Sequence, residues 1–184
     1  MPSNASRKGC QERCRAQGGV MTSDFDPRDF RSALGKFPTG VCVITTCGPD
    51  GKKEGLTANS FASVSLEPPI VSWSIRNGAP SLETFLASGY FCINLLTIDQ
   101  EALSSHFCRP KVDKFEEVLH VFEMGLGRSP RLIDALATFE CECLSHHAVG
   151  DHIVFYGTVR RYRHRDVDPL VFHGGAYCRV AAPH

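Results

Sequence analysis

Short runs of alternating apolar and polar residues, separated by turn-forming residues, dominate the chain after about residue 40. Such alternation predicts β-strands, because successive side chains of a strand point to opposite faces of its sheet. We predict strands at 41–46, 55–59, 70–75, 90–95, 136–144 and 152–161, and an edge segment at 170–180. Many short strands with turn signals between them favour an antiparallel barrel. The predicted fold class is therefore mainly β with peripheral helices.

Helix-start signals precede the first strand. Asp26 can cap a helix that has Pro27 at its first position and ends near Gly35. The apolar stripe of this helix is predicted to contain Phe30, Ala33, Leu34 and Phe37.

Two further helices are predicted inside the barrel sequence. Ser81 can cap a short helix that continues to about Ala87. Thr97 and Gln100 have the spacing of a capping box and open a helix that carries Leu103 and Phe107. Residues 108–131 are predicted to be rich in loops.

Length and composition indicate one globular domain. The chain has 184 residues, of which 42% are hydrophobic and 22% charged, and its 20 basic and 20 acidic residues cancel. No global field therefore favours nucleic acid or a membrane, and no apolar run reaches the roughly 18 residues of a membrane span. Residues 1–20 are polar, and we expect them to form a disordered N-terminal extension before a domain at 21–184. Met21 is an alternative start.

Nine cysteines raise the question of disulfides or a metal site. Their number is odd and most of them fall in apolar strand sequence, so reduced thiols in the cytoplasm are the better interpretation. A zinc site at Cys141, Cys143, His146 and His147 is the alternative, but their spacing matches no common zinc motif. We predict no metal.

The segment 55–69 carries most of the candidate chemistry, because a predicted strand leads directly into small hydroxyl and amide side chains. Its polar side chains are Thr57, Asn59, Ser60, Ser63 and Ser65. Short side chains let backbone N–H groups approach a ligand and place donors and acceptors at fixed positions. The alternative is a strand followed by a Ser-rich turn and a rigid exit at Pro68-Pro69.

Common nucleotide-binding and hydrolase motifs are missing from the sequence. The nearest approach to a dinucleotide-binding Gly-x-Gly-x-x-Gly is Gly125-Leu126-Gly127, and no helix pattern follows it. Neither a Gly-x-Ser-x-Gly elbow nor a phosphate-binding Gly-Lys-Ser/Thr loop occurs. A Rossmann domain is therefore disfavoured.

Three motifs in order carry a resemblance to a known family. They are Phe37-Pro38-Thr39-Gly40-Val41, the segment 55–69, and Gly150-Asp151-His152. Over most of residues 26–180 the chain resembles the short-chain flavin reductases, which supply reduced flavin to two-component monooxygenases. The resemblance implies an FMN-binding split β-barrel, usually a homodimer with flavin near the subunit interface.

The resemblance also implies which residues bind the flavin. Matching positions are Thr57, Ala58, Asn59 and Ser60 beside the isoalloxazine ring and ribityl chain, with Ser65, Thr39, Asn94 and Leu95. Asn94 could equally be a satisfied polar group at a strand end. The flavin phosphate is assigned to Ser81, with Arg76 and Lys114 as alternative cationic partners.

The Gly150-Asp151-His152 motif matches the nicotinamide side of the family. A glycine permits close approach of the dinucleotide, and His152, oriented by Asp151, can hydrogen-bond to it. His152 is therefore the one predicted catalytic residue, and an ordinary turn is the alternative.

The predicted function is an NAD(P)H-dependent flavin reductase that takes FMN or FAD as substrate, prefers NADH and delivers reduced flavin to a separate monooxygenase. In such a reaction the cofactors carry the electrons, which agrees with the absence of a catalytic triad from the sequence. Two alternatives stay open: a non-catalytic flavin-binding or electron-carrier protein on the same barrel, and a barrel oxidoreductase with another reductant such as a deazaflavin.

Overall fold

A computed structural model describes residues 26–110 and 113–180 and divides the chain into two units, Met1–Leu34 and Gly35–His184. In the first unit, helix α1 covers Pro27–Leu34. The Asp26 carboxylate accepts a hydrogen bond from the backbone N–H of Arg28 at 2.8 Å, as expected of an N-cap. The helix prediction is confirmed, except that Phe37 follows the helix end. The expected extension at 1–20 lies outside the described residues.

A seven-stranded antiparallel sheet dominates the second unit, with strand order β3-β2-β6-β9-β10-β5-β4. Its strands are β2 (Cys42–Cys47), β3 (Lys53–Ala58), β4 (Ala62–Leu66), β5 (Pro69–Arg76), β6 (Tyr90–Leu95), β9 (Ala137–Val149) and β10 (His152–His164). The predicted mainly β, antiparallel fold class is confirmed.

The smaller elements lie between and after these strands. Helix α2 covers Leu82–Ser88, and helix α3 covers Glu101–Cys108 after a 3₁₀ turn at Ile98–Gln100. Strand β1 (Thr39–Gly40) pairs with β11 (Val171–His173), which pairs with β12 (Ala176–Cys178). Strands β7 (Phe122–Met124) and β8 (Pro130–Leu132) form a hairpin, flanked and connected by 3₁₀ turns at Leu119–Val121 and Leu126–Arg128.

The strand predictions needed correction in four places. Strand β4 stands where a Ser-rich turn was the alternative interpretation, and the β7–β8 hairpin occupies part of the segment predicted to be rich in loops. Strands β9 and β10 also continue beyond their predicted ends at Leu144 and Arg161. In the hairpin and the strand extensions, cross-strand pairing supplies the order that local sequence does not.

The sheet is packed on both faces. One buried cluster centres on Trp73, which stacks on Phe155 with ring centroids 4.8 Å apart and meets Phe91 edge to face. The other cluster lies towards α3 and includes Val43 and Phe107. These two layers hold β3 and α3 in fixed positions beside each other.

Two glycines permit the close packing. A Cβ on Gly55 of β3 would lie 2.6 Å from Cε1 of Phe107, and a Cβ on Gly157 of β10 would lie 2.9 Å from that of Cys141. Larger side chains would push α3 away from β3 or separate β10 from the core.

All seven cysteines among the described residues are free thiols. Burial raises the pKa of Cys42 and of Cys141 to about 12, so both stay protonated and act as small apolar core residues. No metal-binding group of His, Cys, Asp and Glu occurs in the described part of the chain, including the segment weighed for zinc. No described helix is both long enough and apolar enough to span a membrane.

Candidate functional site

A cavity of about 1030 Å³ lies between the end of β3, the turn before α2, the end of α3 and the tip of the β9–β10 hairpin. Its size is at the upper end of small-molecule and cofactor sites. Seven predicted site residues line it: Thr57, Ala58, Asn59, Ser60, Ser81, Asp151 and His152. A smaller cavity of about 220 Å³ beside Phe115 contains none of them.

One wall of the cavity is the open edge of β3, which ends the seven-stranded sheet. The carbonyl of Val41 accepts a hydrogen bond from the N–H of Leu96 at 2.9 Å, so the backbone polar groups of Val41 face the β6 side. Along an antiparallel strand, the N–H and C=O groups of successive residues face opposite neighbours. The N–H and C=O of Val43, two residues later, therefore also face β6. Thr57, opposite Val43, therefore turns its own N–H and C=O away from β2 towards the open edge.

Lys114 closes one end of this edge. Its ammonium donates to the carbonyl of Gly55 at 3.0 Å, which agrees with the outward direction of alternate residues of β3, and to the carbonyl of Phe107 at 2.9 Å. Burial lowers the pKa of Lys114 from its ordinary value. The lysine, weighed above as a phosphate partner, thus joins β3 to the C-terminal end of α3.

Asn59 and Ser60 follow β3 and differ in what they can offer a ligand. The Ser60 hydroxyl accepts a hydrogen bond from the N–H of Ser74 at 3.0 Å and lies 3.2 Å from the Ser74 carbonyl. These contacts attach the residues that follow β3 to β5. The exposed Asn59 carboxamide makes no hydrogen bond within the described residues, which leaves its donors and acceptor available.

The opposite wall is formed by the tip of the β9–β10 hairpin. Gly150 adopts a positive φ of 61° that suits glycine in a tight turn, and the N–H of Asn77 donates to the carbonyl of Asp151 at 2.9 Å. Nδ1 of His152 lies 2.7 Å from Oδ1 of Asp151. The turn before α2 and the hairpin therefore hold each other in place.

The Asp151–His152 contact sets the polarity of the imidazole. The hydrogen bond and charge of His152, with a smaller effect of Arg76, lower the pKa of Asp151, so its carboxylate stays ionised. An ionised carboxylate only accepts hydrogen bonds, so Nδ1 of His152 carries the proton in the contact. Nε2 is then the nitrogen available to a ligand, and the side chain is 38% exposed.

Cations and a helix start complete the lining. Arg76 lies opposite His152 in the β5–β10 register, and Arg109 follows α3; neither forms an ion pair with another described residue. Ser81 is the N-cap residue of α2 as predicted, but its side chain makes no capping hydrogen bond. Its hydroxyl is therefore not committed to the helix.

Five predicted site residues do not line the cavity: Thr39, Ser65, Asn94, Leu95 and Gly150. Asn94 is fully buried; its amide donates to the carbonyl of Val43 at 2.9 Å and its oxygen accepts from the N–H of Leu132 at 2.8 Å. The geometry thus favours the structural role left open above. Thr39 has a buried hydroxyl without a hydrogen-bond partner in the described structure.

Sequence reasoning missed the α3 side of the cavity. Phe107, Cys108, Arg109 and Pro110 line it together with residues 77–80 of the turn before α2. Phe107 is on the helix predicted after the capping box, and it also belongs to the second buried cluster. No local motif could have placed the end of this helix beside β3, which is about fifty residues earlier in the chain.

Several known proteins are similar to this chain. The family model described as "Flavin reductase like domain" matches residues 34–181. The chain is 43% identical over 154 residues to "FMN reductase (NADH) SmoA" of Agrobacterium fabrum, which covers 84% of this chain and 86% of the relative. It is 39% identical over 164 residues to "Flavin-dependent monooxygenase, reductase subunit HsaB" of Rhodococcus jostii, covering 89% and 83% of the two chains.

A solved structure shares the fold. The NADH:FAD oxidoreductase SgcE6 of Streptomyces globisporus, in complex with NAD and FAD fragments, superposes with a TM-score of 0.78. Its sequence is 34% identical, and the match covers 85% of this chain and 95% of that one. At this level of identity and coverage, the fold is shared.

Proposed function

The chain belongs to the flavin reductase-like family, and from that premise we propose that it reduces free flavin with NADH and supplies the product to a separate monooxygenase. The observation that carries the proposal is the single cavity at which the hydroxyl-rich segment after β3 and the Asp151–His152 turn face each other. One cavity can thus hold both reactants of a hydride transfer.

The chemistry of the cavity wall fits a flavin. The open edge of β3 presents the N–H and C=O of Thr57, and the free Asn59 carboxamide stands beside it. The ring's pyrimidine edge alternates carbonyl acceptors with an N–H donor, so it needs both kinds of partner. Leu56 and Ala58 supply apolar surface for the aromatic part.

Bound flavin would supply the hydride acceptor, and the protein's contribution would be position and polarity. Thr57, Ala58, Asn59 and Ser60 would orient the ring. His152, oriented by Asp151, would accept a hydrogen bond at Nε2 from the carboxamide N–H of the dinucleotide.

Phosphate groups need donors or positive charge. Ser81 has a hydroxyl that does not cap its own helix, and it remains our first choice for the flavin phosphate. Arg109 is a second candidate because it lines the same cavity without an ion pair to a described residue.

The finer assignments are proposals as well. We propose FMN or FAD as flavin substrate and NADH before NADPH, since the described residues that line the cavity include two arginines on different elements, Arg76 and Arg109, and no cluster of arginines for a 2′-phosphate. We also propose a homodimer. Strand β4 ends the sheet opposite β3 and exposes Val64 by 51% and Leu66 by 92%, which a second copy would cover.

Steady-state kinetics test the function directly. Flavin-stripped protein should oxidise NADH at a rate that rises and saturates with added FMN, FAD or riboflavin, and NADPH should be the poorer reductant. Stoichiometric, tight flavin binding without NADH turnover would instead identify a flavin carrier. Light scattering of the same sample gives the oligomeric state.

A further inference from the structure

A chain of hydrogen bonds runs from the cavity wall to the C-terminal hairpin, which consists of β11 and β12. The hydroxyl of Thr57 in β3 donates to the carbonyl oxygen of Ser104 in α3 at 2.6 Å. The Ser104 hydroxyl in turn shares a hydrogen bond of 2.8 Å with the phenol oxygen of Tyr177 in β12. Three elements that are distant in sequence therefore meet behind the candidate flavin edge.

Burial makes this chain specific. Ser104 has no solvent exposure, so its hydroxyl has no water to replace Tyr177 as a partner. Because a carbonyl can only accept, the single hydroxyl proton of Thr57 is committed to α3. The branched side chain of Thr57 has few rotamers, so this bond also fixes the orientation of the residue.

The Tyr177 end of the chain is itself anchored. Its ring packs edge to face on Phe172 in the neighbouring strand, with centroids 5.6 Å apart. The C-terminal hairpin therefore fixes the position of α3, and α3 fixes the position of β3. On its other side β3 pairs with β2.

We propose that Ser104 and Tyr177 are positioning residues for flavin recognition. They hold Thr57 so that its outward N–H and C=O match a carbonyl and the imide N–H of the isoalloxazine ring. The inference rests on the proposed function, because it assigns the cavity edge to a flavin. It adds a role for two residues that do not line the cavity.

The test compares Tyr177→Phe, Ser104→Ala and Thr57→Val with wild type in fluorescence titrations of lumiflavin and its N3-methyl derivative, which lacks the imide N–H. Wild type should prefer lumiflavin by about tenfold or more. Tyr177→Phe keeps the ring on Phe172 and should weaken lumiflavin binding about three- to tenfold while reducing this preference. Tyr162→Phe is the matched control, because Tyr162 is 68% exposed, and it should change neither quantity.

A double-mutant cycle separates positioning from general stability. If Tyr177 acts through Thr57, then Thr57→Val combined with Tyr177→Phe should bind lumiflavin no more weakly than Thr57→Val alone. Additive losses, or an unchanged preference in folded Tyr177→Phe as judged by its thermal melt, would overturn the inference. If wild type binds both probes equally and turns over NADH normally, the positioning role of Ser104 and Tyr177 is refuted and the proposed function stands. If wild type binds no flavin, the proposed function fails as well.

Discussion

Replacement of His152 by alanine is the sharpest test of the nicotinamide side of the cavity. The substitution removes Nε2, the nitrogen that the Asp151 contact leaves available, and keeps the backbone of the hairpin. Asp151 still holds the turn, because its carbonyl accepts from the N–H of Asn77.

The expected magnitude follows from the contact that is lost. With its proton on Nδ1, the imidazole accepts at Nε2, and the donor that the dinucleotide offers is its carboxamide N–H. Losing the acceptor leaves this N–H unpaired at roughly 1 to 3 kcal/mol, which corresponds to about a 5- to 150-fold change. The loss should appear in kcat/KM for NADH. A higher KM alone would indicate lost binding, and a lower kcat would indicate lost alignment in the transition state.

Stability should change little. His152 is 38% exposed and its carboxylate partner 79% exposed, so solvent screens the pair and it contributes little to folding. Lumiflavin affinity should also stay within about twofold, because His152 is assigned to the other ligand.

Anaerobic stopped-flow reduction of bound flavin, together with thermal melts of the same samples, is the appropriate assay. His152→Gln serves as a partial control, since its amide oxygen can still accept one hydrogen bond from the ligand. Normal reduction rates in folded His152→Ala would refute the assignment, and the Asp151–His152 segment would then be an ordinary turn.

Three further outcomes are expected. Asn59→Ala should weaken flavin binding about tenfold in fluorescence titrations, because ligand groups lose a partner at roughly 1 to 3 kcal/mol, and unchanged affinity would show that the ring lies elsewhere. Gly157→Ala should lower the melting temperature through overpacking of about 1 to 3 kcal/mol against Phe91, and an unchanged melt would mean that the core can yield there. The exposed Cys108 lines the cavity, so it should react with a thiol reagent in the native protein and be protected by flavin, with Cys108→Ser as the comparison. Fast labelling of Cys42 in the native protein even at pH 9 would contradict its pKa of about 12.

Much of the site was accessible from local sequence. The segment after β3 and the Asp151–His152 turn both line the cavity, because each is a short polar stretch at a strand end, where side chains and backbone are free to face a ligand. Asn94 shows the limit of that reasoning. A polar residue in a strand can satisfy a core as well as a ligand, and only its neighbours, here the carbonyl of Val43 and the N–H of Leu132, distinguish the two.

Local sequence patterns within about ten residues predicted the strands and the helix starts. These patterns are the alternation of apolar and polar residues, the turn residues and the helix caps. The order of the short motifs indicated the family. The patterns are local properties, and local sterics and hydrogen bonding enforce them. The partner of each strand edge and the resting place of each helix end depend instead on long-range packing. That packing placed α3 and the C-terminal hairpin behind Thr57 and left one edge of β3 open. It also placed the ammonium of Lys114, a candidate phosphate ligand, against the carbonyl of Gly55 in β3.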